Sequence, residues 1–112
     1  GLGDIRTRGM DSTFMYDAVR SGEVDAVTAY TTDGRIDAFD LVLMDDPLEV
    51  LPPYDAFILL APGVDADVKA ALAPLRRSIT NEQMRRANAM VDLERQSVAQ
   101  AGEWLWGEIA QQ

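Results

Sequence analysis

Five consecutive apolar side chains, Ala56-Phe57-Ile58-Leu59-Leu60, stand between Pro52-Pro53 and Pro62-Gly63. Pro52-Pro53 makes a stiff extended lead-in and Pro62-Gly63 ends the run, so residues 54–60 read as the clearest strand in the chain. Residues 24–30 are rich in Val, Ala and Thr and follow a Gly-Glu-Val-Asp turn, which reads as a short buried strand of the parallel type. Residues 41–44 are a further strand candidate, stopped by Asp45-Asp46-Pro47, because Pro restrains the residue before it and cannot donate to a ladder. A short strand within residues 1–9 would rest on Leu2 and Ile5 alone.

The segments between these runs carry helix signals. Asp11 or Ser12 can accept from the free N–H groups of a helix over 13–21, with Phe14, Met15, Ala18 and Val19 as its apolar face and Gly22 as its left-handed stop. Asp65 stands at the start of a short helix with Val68, Ala71 and Leu72 inward, closed or kinked by Pro74. Thr80-Asn81-Glu82-Gln83 has the capping-box pattern, and Met84, Ala87, Asn88 and Val91 share a face of the helix that follows. A last helical stretch carries Val98, Trp104, Leu105 and Ile109, with Trp104 and Leu105 as its anchor and Trp106 partly exposed. Strands followed by helices predict an α/β fold of short sheet strands with flanking helices.

Composition removes whole classes of function. The formal charge is −9, which repels nucleic acid and anionic membrane surfaces and argues against both as partners. Without Cys there is no disulfide, thiol nucleophile or thiolate metal site, and without His the commonest general base and metal ligand are gone. Asp45, Asp46 and Glu49 lack the spacing of a calcium loop and read as a solvated turn. No Walker-type Gly-Lys-Ser/Thr loop occurs, and neither a cofactor nor a metal is expected. No apolar run approaches the roughly 20 residues of a membrane span, and the N-terminus has no signal-peptide pattern.

The polar loop 31–40 begins where strand 24–30 ends, and in open α/β sheets ligands bind beyond the carboxyl ends of strands. Its sequence, Ala29-Tyr30-Thr31-Thr32-Asp33-Gly34-Arg35-Ile36, followed by Leu41-Val42-Leu43-Met44-Asp45-Asp46 and Pro52-Pro53-Tyr54, resembles the C-terminal part of the substrate-binding proteins of glycine betaine, carnitine and choline ABC importers. Met10-Asp11, Tyr16, Gly22-Glu23-Val24-Asp25, Ile79-Thr80, Met84, Asn88 and Val91-Asp92 also fall where that family's pattern puts them. The resemblance implies the C-terminal portion of a two-lobed, type II periplasmic-binding-protein-like fold. Residues 1–44 would then belong to the second lobe with ligand loop 29–36, residues 45–54 to the return crossing or hinge, and residues 55–112 to the first lobe. It further implies a protein that is no enzyme but binds a quaternary ammonium osmoprotectant and presents it to an ABC permease. Such a protein works at the periplasmic or extracellular face of the membrane, its signal or anchor lying upstream.

A quaternary ammonium cation offers no conventional hydrogen bond, so it is recognised by aromatic faces, while a carboxylate at its other end needs donors. Tyr30 is the first candidate for such a cation–π contact, the alternative being a ring packed under the loop. Thr31 and Thr32 can donate to a ligand carboxylate or cap the loop, and Asp33 can contact ligand or, with Gly34, only shape a turn. Arg35 can clamp a carboxylate or pair with Asp37, Asp45 or Asp46, and Tyr16 is a candidate on its helix that can equally be core. Two other readings stand beside the transport one: a ligand-sensing domain of a regulator or receptor with the same fold, and a small carboxylate-dependent enzyme using Asp33 or Asp45/Asp46. Surface that the rest of a two-lobed protein would cover is expected to leave an apolar patch on this 112-residue chain, able to drive dimerisation or strand exchange.

Overall fold

The structure, a computed structural model, describes residues 4–110. Its helices are α1 (Ser12–Arg20), α2 (Arg35–Ala38), α3 (Ala66–Leu72), α4 (Asn81–Asp92) and α5 (Val98–Ala110), with a 3₁₀ turn at Ala73–Leu75. The chain divides into two compact units, Gly1–Tyr30 and Thr31–Gln112.

The expected α/β sheet is absent: among the described residues no segment forms a strand. Residues 24–30, 41–44 and 54–60 all lie outside regular structure, and Val42, Met44, Phe57 and Leu59 are more than four-fifths exposed. The physical reason is that a strand is stabilised by its ladder and by what covers its faces, and apolar, β-favouring sequence supplies neither. None of these runs finds a pairing edge among the described residues. Residues 4–9 form no strand either, while Leu2 lies outside the described residues.

In the first unit, the Asp11 carboxylate accepts the Thr13 N–H at 2.8 Å and starts α1. Gly22, at φ +75°, ends it: the Gly22 N–H donates to the Val19 carbonyl at 3.2 Å and the Glu23 N–H to the Ala18 carbonyl at 2.9 Å, a Schellman closure. The buried side of α1 is Tyr16 and Ala18, with Met15 and Val19 half-buried, whereas Phe14 is exposed. Arg8 and Glu23 pair within the same unit.

The second unit is organised by α4 and α5, packed on each other through Ala87, Met90 and Ala101, with Val91, Trp104 and Leu105 against them. Both helices begin on a reciprocal cap. Thr80 Oγ1 accepts the Gln83 N–H at 3.2 Å while Gln83 Oε1 accepts the Thr80 N–H at 2.9 Å. Ser97 and Gln100 repeat the arrangement at α5, at 3.2 and 2.9 Å. Trp106 is 57% exposed, as its place in α5 led one to expect. Asp65 occupies the cap position of α3 without a side-chain bond to it, and no residue of α3 is buried, contrary to the inward face expected of Val68, Ala71 and Leu72. Pro74 falls in the 3₁₀ turn that closes this short helix.

Candidate functional site

The loop from Thr31 to Gly34 is shaped first by its own residues. Asp33 Oδ1 accepts the Arg35 N–H at 3.0 Å and Arg35 Nε at 3.1 Å, and the Asp33 carbonyl accepts the Ile36 N–H at 3.2 Å. The aspartate thereby starts α2 and holds the first side chain of that helix. Ile36 is 4% exposed, and α2 packs on α4. At its far end Asp40, at φ +53°, takes the left-handed position usually given to glycine, with the Leu41 N–H donating to the Ile36 carbonyl at 2.9 Å.

Helix α4 supplies the second level of support. Arg85 donates through Nε to Asp37 Oδ2 at 3.0 Å and through Nη1 to the Thr31 carbonyl at 2.9 Å. One turn on, Asn88 Nδ2 donates to the Thr32 carbonyl at 2.7 Å. Arg35 Nη2 reaches Asp92 Oδ2 at 3.9 Å, so carboxylates and guanidiniums alternate between the loop, α2 and α4. The Arg85, Asp33 and Arg35 side chains are 17%, 18% and 23% exposed, which strengthens these contacts relative to surface pairs. Beside them α2, α4 and α5 border an open groove of about 740 Å³ whose walls include Asp37, Arg85, Ala89 and Trp104. Across that groove's rim Arg86 binds Glu94, and this bond holds the Glu94 carboxyl below its ordinary value and raises Arg86.

Of the residues singled out from the sequence, Thr31, Thr32 and Asp33 lie together in the second unit, the first two bonded to α4 and Asp33 to the start of α2. Tyr30 closes the first unit with its side chain 65% exposed, and Tyr16 is buried on α1 at 2% exposure. Arg35 pairs with Asp33 and Asp92, whereas Asp37, one of its expected partners, is engaged by Arg85. Sequence reasoning did not find Arg85. No local pattern marks a side chain whose partner lies 54 residues away. Asn88 carried a usable signal, since a polar amide on the stripe Met84, Ala87, Asn88, Val91 needs a partner wherever that stripe is covered. Among the described residues no group of three or more Asp or Glu side chains is placed to hold a metal ion, and no helix is long and apolar enough to cross a membrane. What these residues form is a shaped, hydrogen-bonded loop held on one side by α4.

Residues 5–106 match the family described as the substrate binding domain of the ABC-type glycine betaine transport system. The chain belongs to this family of substrate-binding domains. It is also 30% identical over 86 residues to the carnitine transport binding protein OpuCC of Listeria monocytogenes serotype 1/2a (strain 10403S), a match covering 74% of this chain and 28% of the relative. The same figures hold for the OpuCC recorded for Listeria monocytogenes without strain. The match therefore spans 28% of the length of these curated relatives. No solved structure matches the chain significantly.

Proposed function

We propose that this chain acts in the solute-binding component of an ABC importer for quaternary ammonium compatible solutes such as glycine betaine, carnitine or choline, and that residues 30–33 contact the solute. The observation that carries the reading is the loop itself. In a chain of the betaine-binding family, the Thr31 and Thr32 carbonyls are held by α4 and the Asp33 carboxylate is held by Arg35, directly after Tyr30 in sequence. A polar segment that follows an aromatic residue in sequence suits a ligand with a cationic head and a polar tail. On this reading Tyr30 takes the ammonium by its ring face, Thr31 and Thr32 offer hydroxyls to the other end, and Asp33 shapes the loop through Arg35. Residues 45–54 form the hinge on this reading. Binding biases an opening and closing equilibrium, and the closed form is presented to the permease at the extracytoplasmic face of the membrane.

Calorimetric titration of the full-length chain with glycine betaine, carnitine and choline tests the assignment. Loss of one aromatic face in Tyr30→Ala weakens the best ligand by about 2- to 30-fold, and Tyr30→Phe, which keeps the face, binds nearly as wild type. Equal affinities for wild type and Tyr30→Ala would remove Tyr30 from the site.

A further inference from the structure

We propose that Arg85 and Asn88 of α4 are positioning residues for solute recognition: by donating to the Thr31 and Thr32 carbonyls they fix the loop that meets the ligand, without meeting the ligand themselves. The inference rests on the preceding reading of residues 30–33 as the ligand segment.

Several independent observations converge on it. Arg85 and Asn88 are three residues apart on α4, hence on one face, and both donate to the backbone of adjacent loop residues across 54 and 56 positions of sequence. Between these two bonds and α2 the loop comes so close that a Cβ on Gly34 would lie 2.6 Å from the Ala89 backbone nitrogen, so the segment is seated on the helix as well as tethered to it. The helix that carries both donors is itself well held, by the Thr80–Gln83 cap at its start and by Ala87 and Met90 in the core. The loop, by contrast, has no ladder to fix it. Its orientation then depends on what α4 gives it.

The two donors are not equivalent. The Arg85 guanidinium divides its fork between the Asp37 carboxylate and the Thr31 carbonyl, joining the loop to α2 in a way that a single ammonium cannot reproduce. Asn88 makes a neutral bond whose only requirement is an N–H or O–H aimed at the Thr32 carbonyl. That requirement gives a clean test. The change Asn88→Asp keeps the shape and removes the donor at neutral pH, yet restores an O–H donor when the introduced carboxyl is protonated. The charged groups bounding this anchor are Arg85 and Asp92 on α4 and Asp33, Arg35 and Asp37 on the loop and α2. All of them are present in wild type and in Asn88→Ala, so ratios to those proteins at each pH remove their own titration.

Glycine betaine is the probe, because its fixed positive charge keeps its carboxylate ionised in mild acid. At neutral pH Asn88→Asp, Asn88→Ala and Arg85→Lys in the full-length chain bind it about 5- to 50-fold more weakly than wild type. Near about pH 4, where an aspartyl carboxyl takes up its proton, Asn88→Asp recovers toward wild type and Asn88→Ala does not. Neutral-pH affinities within about twofold of wild type, below the smallest effect that one lost hydrogen bond produces, would overturn the proposal. So would an Asn88→Asp protein that stays as weak in acid as Asn88→Ala. Carbonyl carbon shifts of Thr31 and Thr32 without ligand separate this from the functional reading. If wild type binds none of the solutes, that reading fails, and the anchoring still stands or falls on whether the two variants at Asn88 move those shifts.

Discussion

Gly34 and Ala89 are in contact through their backbones: a Cβ built on Gly34 would meet Ala89 N at 2.6 Å and Ala89 Cα at 2.7 Å. Gly34 has φ −65° and ψ −20°, a conformation open to any residue, so glycine is required here by closeness to α4 and not by backbone freedom. Gly102 is the counterpart, in the middle of α5 with nothing within 4 Å of its missing Cβ.

The same substitution therefore acts in opposite directions at these two glycines. Gly34→Ala destabilises by about 1–3 kcal/mol, as overpacking against a helix backbone does, and lifts the loop from α4. Gly102→Ala stabilises by about 0.5–1 kcal/mol, the helix-interior difference between the two residues. Urea unfolding of both variants checks this, and a Gly34→Ala protein as stable as wild type would show that the loop is not seated as described.

Each reciprocal cap contributes separately. Thr80→Ala and Ser97→Ala each cost about 1 kcal/mol, since each strands backbone donors at the start of its helix. The capping bonds share no partner, so the double variant loses the sum to within about 0.5 kcal/mol. Denaturant midpoints of the two single variants and the double variant measure both statements, and a negligible loss at either position would deny that cap its role.

Acid releases two local structures. The Leu51 N–H, donating to Asp46 Oδ2 at 2.7 Å, is the main cause holding the Asp46 carboxyl below its ordinary 3.8, helped by the N–H groups of Val50 and Leu48. The Thr13 N–H does the same for Asp11 at the start of α1. A carboxyl depressed in the folded chain contributes stability above 3.8 that is lost as pH falls through its lower folded value. The Leu51 amide resonance accordingly titrates with a midpoint below 3.8, and Asp46→Asn abolishes that step. A midpoint at or above 3.8 would contradict the bond.

What could be read from the sequence divides along the range of the interactions. The Asp11 cap, the left-handed Gly22, the Thr80–Gln83 box and the Trp104–Leu105 anchor follow from side chains acting within one turn of their neighbours, and all are present. The Ser97–Gln100 box has the same spacing as the one at Thr80 and was equally legible, although it was not singled out. The sheet was not legible, because Phe57 and Leu59 carry strand-like sequence but a strand also needs a partner, which residue pattern cannot supply. For the site, the loop and its family resemblance were visible in residues 29–36. Its support by Arg85 was not, and for Asn88 the pattern marked only the need of a partner and not which one, since both bonds depend on how α4 is brought back over the loop across more than 50 positions of chain.

The central claim is that the loop seated on α4 is where this betaine-family chain meets its solute. An amide-shift titration of the isotopically labelled chain with glycine betaine, carnitine and choline to millimolar concentration tests it most directly. Saturable shifts centred on residues 30–35, with the rest of α4 following only near Arg85 and Asn88, are the predicted result. A folded chain whose amides at residues 30–35 stay unmoved by all of these solutes, or whose shifts gather elsewhere, would contradict it.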